Sequence, residues 1–250
     1  MRLKKIDGKK GYVVLVHGLG EHCGRYTWLI DLLRSEDYGL IMFDLPGHGE
    51  NSGKKGHATF REIFEILDGI FHSEPDSFLM GHSLGGLIAI RYAELRNNVR
   101  GLIVTSPALK ISNDNFFLRL LATLVSVISP KTTFNNGIDP YDLSPNIEAV
   151  KRYINDPLVH EKISAKLAFD MLVNSKRALR EAFKIKIPCF IGVGEKDKIT
   201  LPEGAYLFFN RVSSEDKTLK TYHGGYHELF EDPANMSLFL SDFVDWLRRH

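Results

Sequence analysis

The chain has 250 residues, 44% of them hydrophobic and 25% charged, and a formal net charge of +1. That length allows one α/β domain with a substantial core and is short for two independent ones. The near-neutral charge, without a long Lys/Arg run, excludes a nucleic-acid-tracking surface, so Lys4, Lys5, Lys9 and Lys10 read as a solvated edge. The first residues lack the apolar stretch of a secretory signal. No segment approaches the ~20 apolar residues of a membrane span. Two cysteines, Cys23 and Cys189, are too few for a disulfide framework or a Cys-based metal site. Two reduced thiols in a cytoplasmic protein is the expectation, and a single Cys23–Cys189 bridge the alternative.

In chain order, short Val/Ile/Phe-rich runs alternate with segments of helical period. The runs are Tyr12–Val16, Leu40–Phe43, Ser77–Met80, Leu102–Thr105, Pro188–Val193 and Thr218–Tyr222. Tyr26–Leu33, Phe60–Phe71, Leu87–Leu95 and Met236–Leu247 carry apolar residues at i, i+3 and i+4. This rhythm predicts a mostly parallel sheet with helices on both faces, its active residues at the carboxyl ends of the strands. Only 11 residues precede Tyr12, so a reduced antiparallel edge is expected.

The rhythm breaks between about Leu109 and Ile185, an interval much longer than the few residues of an ordinary connection. It reads as a helical insertion, which divides the chain into a core of residues 1–108 and 186–250 and a cap of residues 109–185. Within it Phe116–Ile128 is apolar except for Arg119, Thr123 and Ser126, which share one helical face. Packing onto the core and covering an acyl pocket, with contact to lipid surfaces, are the two readings of that helix.

Gly81-His82-Ser83-Leu84-Gly85-Gly86 contains G-x-S-x-G, which glycine frequency alone produces in roughly one chain of this length in ten. Its place after an apolar run and before a helical pattern makes it specific, because that is the strand–turn–helix of a nucleophile elbow. A serine nucleophile needs a base oriented by an acid, in chain order Ser, Asp/Glu, His. Asp197, after the run Pro188–Val193, is the expected acid, with Glu195 the rival. After Thr218–Tyr222 come His223 and His227, and His227, on a glycine-bearing loop that can reach Ser83, is the expected base. The two oxyanion N–H donors are expected from Leu84 and from Leu19 in the loop His17-Gly18-Leu19-Gly20. His17 reads as a loop support. No metal-ligand spacing is present, so no cofactor or metal is implied.

With these residues in place, the chain resembles the monoacylglycerol lipase, or lysophospholipase-like, family of α/β-hydrolases over nearly its whole length. The resemblance lies in His17-Gly18-Leu19-Gly20-Glu21-His22-Cys23-Gly24-Arg25-Tyr26, in Asp44-Leu45-Pro46-Gly47-His48-Gly49, in Tyr153-Ile154-Asn155-Asp156-Pro157-Leu158, and in the Gly-Tyr-His ending at His227. It implies a lid over an elongated apolar pocket, and polar contacts to the alcohol of the substrate from Glu21, Arg25 and Tyr153. A structural pair shaping the oxyanion loop is the other reading of Glu21 and Arg25. The chain departs from the family at Leu84, often Met, and at Phe230, where some members carry a polar residue. The expected activity is hydrolysis of fatty-acid esters, monoacylglycerols first, through an acyl-enzyme. A general carboxylesterase and a lysophospholipase are the alternatives within hydrolases. A non-catalytic binding module, which would be expected to lack part of this set, is the alternative outside them. The partner is a small acyl ester, and oligomeric state is not legible.

Overall fold

The computed structural model describes residues 3–96, 98–112 and 125–250. Seven strands form one sheet: β1 (Leu3–Ile6), β2 (Tyr12–Val16), β3 (Gly39–Phe43), β4 (Phe78–His82), β5 (Gly101–Thr105), β8 (Cys189–Gly194) and β9 (Lys217–Tyr222), in the order β1-β3-β2-β4-β5-β8-β9. Every pairing is parallel except β1 with β3. The fold is thus a mostly parallel α/β sheet flanked by helices. Its antiparallel edge is a single four-residue strand, LKKI, too short and polar to signal itself in the sequence.

Alternation along the buried strands assigns the two faces. Val14 and Val16 join one core cluster with α2 (Phe60–Ser73), α3 (Leu84–Leu95), α5 (Ala165–Glu181) and α6 (Pro202–Arg211). Val13 and Leu15 join the other with α1 (Thr27–Ser35) and α7 (Met236–Leu247). Cys189 belongs to the first cluster and Cys23 to the second, so the sheet separates two free, buried thiols and the bridge alternative falls.

The interval read as an insertion holds two three-residue strands, β6 (Thr133–Asn135) and β7 (Lys162–Ser164), paired with each other, and the helix α4 (Ile147–Asn155). It also holds α5, whose Leu167, Met171 and Ala178 pack in the same cluster as α3. Ser164 caps α5, its hydroxyl accepting the Leu167 N–H at 3.2 Å. Of the apolar stretch Phe116–Ile128, residues 116–124 lie outside the described set. Residues 125–128 are helical, with Val127 79% and Ile128 82% exposed.

Between α3 and α5 a buried carboxyl sets a pH-dependent stability. Glu94 pairs with Arg91, which also reaches Glu181 at 3.3 Å, while Glu94 Oε1 has no partner among the described residues. Burial pushes the Glu94 carboxyl up to about 8 from its ordinary 4.5, against the opposing pull of Arg91. A carboxyl raised in the folded state favours folding at low pH, so this contribution fades as pH rises from 4.5 towards 8. Glu94→Gln is therefore expected to leave Tm unchanged near pH 5 and to raise it at pH 8.5, about 2–4 °C for each kcal/mol recovered. Thermal melts at the two pH values check this; an equal loss at both would contradict it.

Candidate active site

Ser83 sits between the end of β4 and the start of α3, in the turn the elbow motif predicts. Its φ of 53° and ψ of −115° place a non-glycine residue in strained backbone space. The flanking glycines permit this: a Cβ at Gly85 would lie 2.0 Å from Val16 O, and one at Gly81 2.2 Å from Gly85 O. The Ser83 N–H donates to Thr105 O at 3.0 Å, and its carbonyl accepts from Leu87 and Ala108 N–H at 3.1 and 3.0 Å. The turn is thereby fixed to both β5 and α3.

Asp197 follows β8 and His227 follows β9, and the two meet in the interior. His227 Nδ1 lies 2.7 Å from Asp197 Oδ2, with both side chains at most 2% exposed. Asp197 Oδ1 accepts the N–H groups of Ile199 and Thr200 at 2.8 and 2.9 Å, and Oδ2 accepts the Thr200 hydroxyl at 2.9 Å. This carboxylate is a pure acceptor here, so His227 carries its proton on Nδ1 and leaves Nε2 as an acceptor. Burial opposes charge on both groups, yet their mutual attraction prevails. Asp197 is held below the ordinary carboxylate range, helped by its N–H donors, and His227 is held above the ordinary imidazole range.

The rivals pair with each other instead. His223 Nδ1 meets Glu195 Oε2 at 2.7 Å, with the His223 side chain 95% exposed. Two supports were not singled out from the sequence. Thr200 binds Asp197 as above, and its spacing three residues after an aspartate is the signal of an Asx-type turn. Ser106, with φ of 43°, donates its hydroxyl to His227 O at 2.8 Å, a contact with no local signal.

The loop after β2 lies against Ser83, since a Cβ at Gly18 would stand 3.3 Å from Ser83 Cβ. His17 supports this loop: its Nδ1 meets Gly18 O at 2.8 Å and its Nε2 accepts the Leu45 N–H at 2.9 Å, while burial keeps it neutral. Glu21 Oε1 takes the Gly18 N–H at 2.6 Å, so that donor is engaged within the loop. The Leu84 N–H opens α3, where the first N–H groups of a helix lack intrahelical acceptors.

Glu21 itself is 2% exposed and committed to the protein, accepting from Gly18 N–H, from Tyr26 Oη at 2.8 Å and from Arg25 Nη1 at 2.7 Å. Arg25 also donates to both oxygens of Glu228, at 2.6 and 2.7 Å, and lies 4.8 Å over the ring of Tyr153 in α4. This arrangement favours the loop-shaping reading of Glu21 and Arg25 over direct contact with an alcohol. Phe230 stacks on Trp28 at 5.5 Å and packs against Tyr26 and His82, so it fills core space. Cys23 is 2% exposed, and burial beside Asp44 pushes its thiol up to about 12. A thiol in that environment is a poor nucleophile near neutral pH.

Residues 7–234 match the family model of the serine aminopeptidase S33 hydrolases. The crystal structure of a monoacylglycerol lipase from Paleococcus ferrophilus superposes with a TM-score of 0.96, 45% identical, covering 99% of this chain and 98% of that one. The chain belongs to the monoacylglycerol lipase family of α/β-hydrolases. It is a carboxylic ester hydrolase. Phospholipase YtpA of Bacillus subtilis is 31% identical over 94% of each chain. An uncharacterized abhydrolase domain-containing protein of Dictyostelium discoideum is 32% identical over 94% of this chain, which spans 26% of that protein's length. Among the described residues of this hydrolase no helix is long and apolar enough to cross a membrane.

Proposed function

We propose that the enzyme cleaves fatty-acid monoacylglycerols by a Ser83–His227–Asp197 triad through an acyl-enzyme. The observation that carries this reading is the buried 2.7 Å His227–Asp197 contact at the strand ends beside Ser83 in its strained turn. Ser83 Oγ attacks the ester carbonyl carbon as its proton passes to His227 Nε2. The Leu19 and Leu84 N–H groups hold the oxyanion, worth roughly 3 kcal/mol per donor. The carbon–oxygen bond to the alcohol then breaks, and the alcohol leaves with the proton from Nε2. Water repeats the sequence on the acyl-enzyme, releasing the fatty acid and restoring Ser83.

Residues 109–185 serve as the cap in this reading, with α5 anchoring it to the core. Its ties to the site loops support that role: His160 N–H donates to Gly20 O at 2.9 Å, and His22 meets Asp156 at 2.8 Å. Exposed apolar side chains on the same interval, Val127, Ile128, Tyr141, Ile147 and Ile154, suit transient contact with lipid surfaces. Two buried free thiols suit a cytoplasmic location.

The family relation to a lipase supports a glyceride, and the relation to a phospholipase supports a lysophospholipid as the second reading. Turnover of a medium-chain monoacylglycerol, its lysophospholipid counterpart and the matched ethyl ester decides. A kcat/KM at least about tenfold higher for the glyceride, about 1.4 kcal/mol of transition-state preference, is expected. A faster lysophospholipid transfers the assignment to the second reading. Equal or faster cleavage of the ethyl ester makes the enzyme a general carboxylesterase.

A further inference from the structure

We infer that Glu21, Arg25 and Glu228 form an ionic strut that holds the oxyanion loop and the His227 loop in register, with Glu228 the positioning residue for His227. The inference rests on the triad reading above and adds a role for residues outside the triad.

The connectivity is specific. Arg25 Nη1 divides its two hydrogens between Glu21 Oε2 and Glu228 Oε1 at 2.7 and 2.6 Å, and Nη2 reaches Glu228 Oε2 at 2.7 Å. At one end the strut adjoins His227 through the peptide bond to Glu228. At the other, Glu21 Oε1 holds the Gly18 N–H at 2.6 Å, fixing the His17–Gly18 peptide unit, one peptide before the unit that carries the Leu19 N–H. The base and an oxyanion donor therefore take their positions from one set of hydrogen bonds. The cap side is joined as well, since Arg25 lies under Tyr153 and the Glu228 N–H donates to Leu143 O at 2.8 Å. Three charges with side-chain exposures of 9% for Arg25 and 3% for each glutamate carry a large desolvation cost. A nonpolar cluster of the same volume would stabilise the fold as well, but would fix neither loop by directed bonds.

Charge gives the strut a second effect. Around His227 stand Asp197 and Thr200 from the loop after β8, His82 from the end of β4, Ser106 after β5, Glu228 from its own loop, and Glu21 and Arg25 from the loop after β2. His82 is neutral, its imidazole driven down to about 3 by burial and by His227. Two carboxylates against one guanidinium leave the strut with one net negative charge beside the imidazole. That charge favours the imidazolium that forms when Ser83 is deprotonated.

The test compares wild type, Glu228→Gln and Glu228→Asp on a monoacylglycerol and on a p-nitrophenyl ester, recording kcat, KM and the pH profile of kcat/KM. Glu228→Gln is expected to lower kcat about 10–100-fold on both substrates with KM within about twofold, as for a misplaced reacting group. Its acid limb should move down by about half a pH unit or more, because a negative charge near His227 is lost. Glu228→Asp keeps that charge, so its acid limb should match wild type while kcat falls by an intermediate factor. Should Glu228→Gln not fold, Glu228→Asp decides alone: a kcat loss of about threefold or more at constant KM supports the strut, and an unchanged kcat overturns it. An unmoved acid limb and kcat in Glu228→Gln also overturn it. So does a rise in KM confined to the glyceride, which would make the cluster an alcohol-binding site. An active Ser83→Ala enzyme would sink the triad and the strut together, whereas an inactive one beside an unmoved Glu228→Gln profile would sink the strut alone.

Discussion

Ser83→Ala is expected to abolish turnover, with kcat on a monoacylglycerol falling by about 10⁴–10⁶-fold, the scale on which loss of the nucleophile acts in enzymes that share this triad logic. The physical reason is that alanine removes the only oxygen the strained turn presents from the side chain of residue 83, and the Cys23 thiol, buried and pushed up to about 12, does not replace it. The fold should be indifferent to the change. The interactions that hold this turn are the backbone bonds of Ser83 to Thr105, Leu87 and Ala108, which alanine retains. A Tm shift equivalent to about 0.5 kcal/mol or less is therefore expected beside the loss of activity. Fatty-acid release assays together with a thermal melt check both halves. Residual activity above about 1% of wild type would contradict the assignment of Ser83.

Asp197→Asn is expected to lower kcat by about 10³–10⁴-fold while the protein stays folded. The hydrogen bonds around this side chain determine how the asparagine must sit. Oδ1 accepts two N–H groups, from Ile199 and Thr200, so the amide oxygen is required there. The NH2 group is then forced into the position of Oδ2, facing His227 Nδ1 at the 2.7 Å contact. Two donors cannot face each other, so the imidazole must move its proton to Nε2 and loses the acceptor that Ser83 needs. Glu195→Gln serves as the control. Glu195 pairs with exposed His223 on the surface, and its loss should change kcat less than about twofold. A loss below about tenfold in Asp197→Asn, or a large loss in Glu195→Gln, would reverse the roles of the two acids.

Five of the six strands legible in the sequence lie inside the sheet, and strands buried on both faces are continuously apolar, as Val13–Val16 and Cys189–Val193 are; the sixth, Lys217–Tyr222, is a half-buried edge strand. The strands that stayed hidden are short or exposed. Leu3–Ile6 alternates between half-buried and exposed positions, and Thr133–Asn135 and Lys162–Ser164 are three residues each. The helix Ala165–Glu181 falls in the interval that reads as an insertion, yet it lies on the core, because a buried face specifies a contact without naming its partner. At the site, Ser83, Asp197 and His227 could be singled out because each follows an apolar run at a strand's carboxyl end. The choice between His227 and His223, four residues apart, depended on which loop folds inward. Glu21 and Arg25 were visible as a pair at i and i+4, but their commitment to Gly18, Tyr26 and Glu228 exists only in three dimensions. Thr200 carries a local signal in its spacing from Asp197, whereas Ser106 reaches His227 O from a distant segment, a contact that composition and spacing do not encode.

The most direct measurement of the central claim is mapping of the covalent adduct formed by a fluorophosphonate probe on the native enzyme. A single adduct on Ser83 is expected, absent from Ser83→Ala and formed much more slowly in a His227→Gln variant. Absence of labelling in the native protein, or equal labelling of Ser83→Ala, would contradict it.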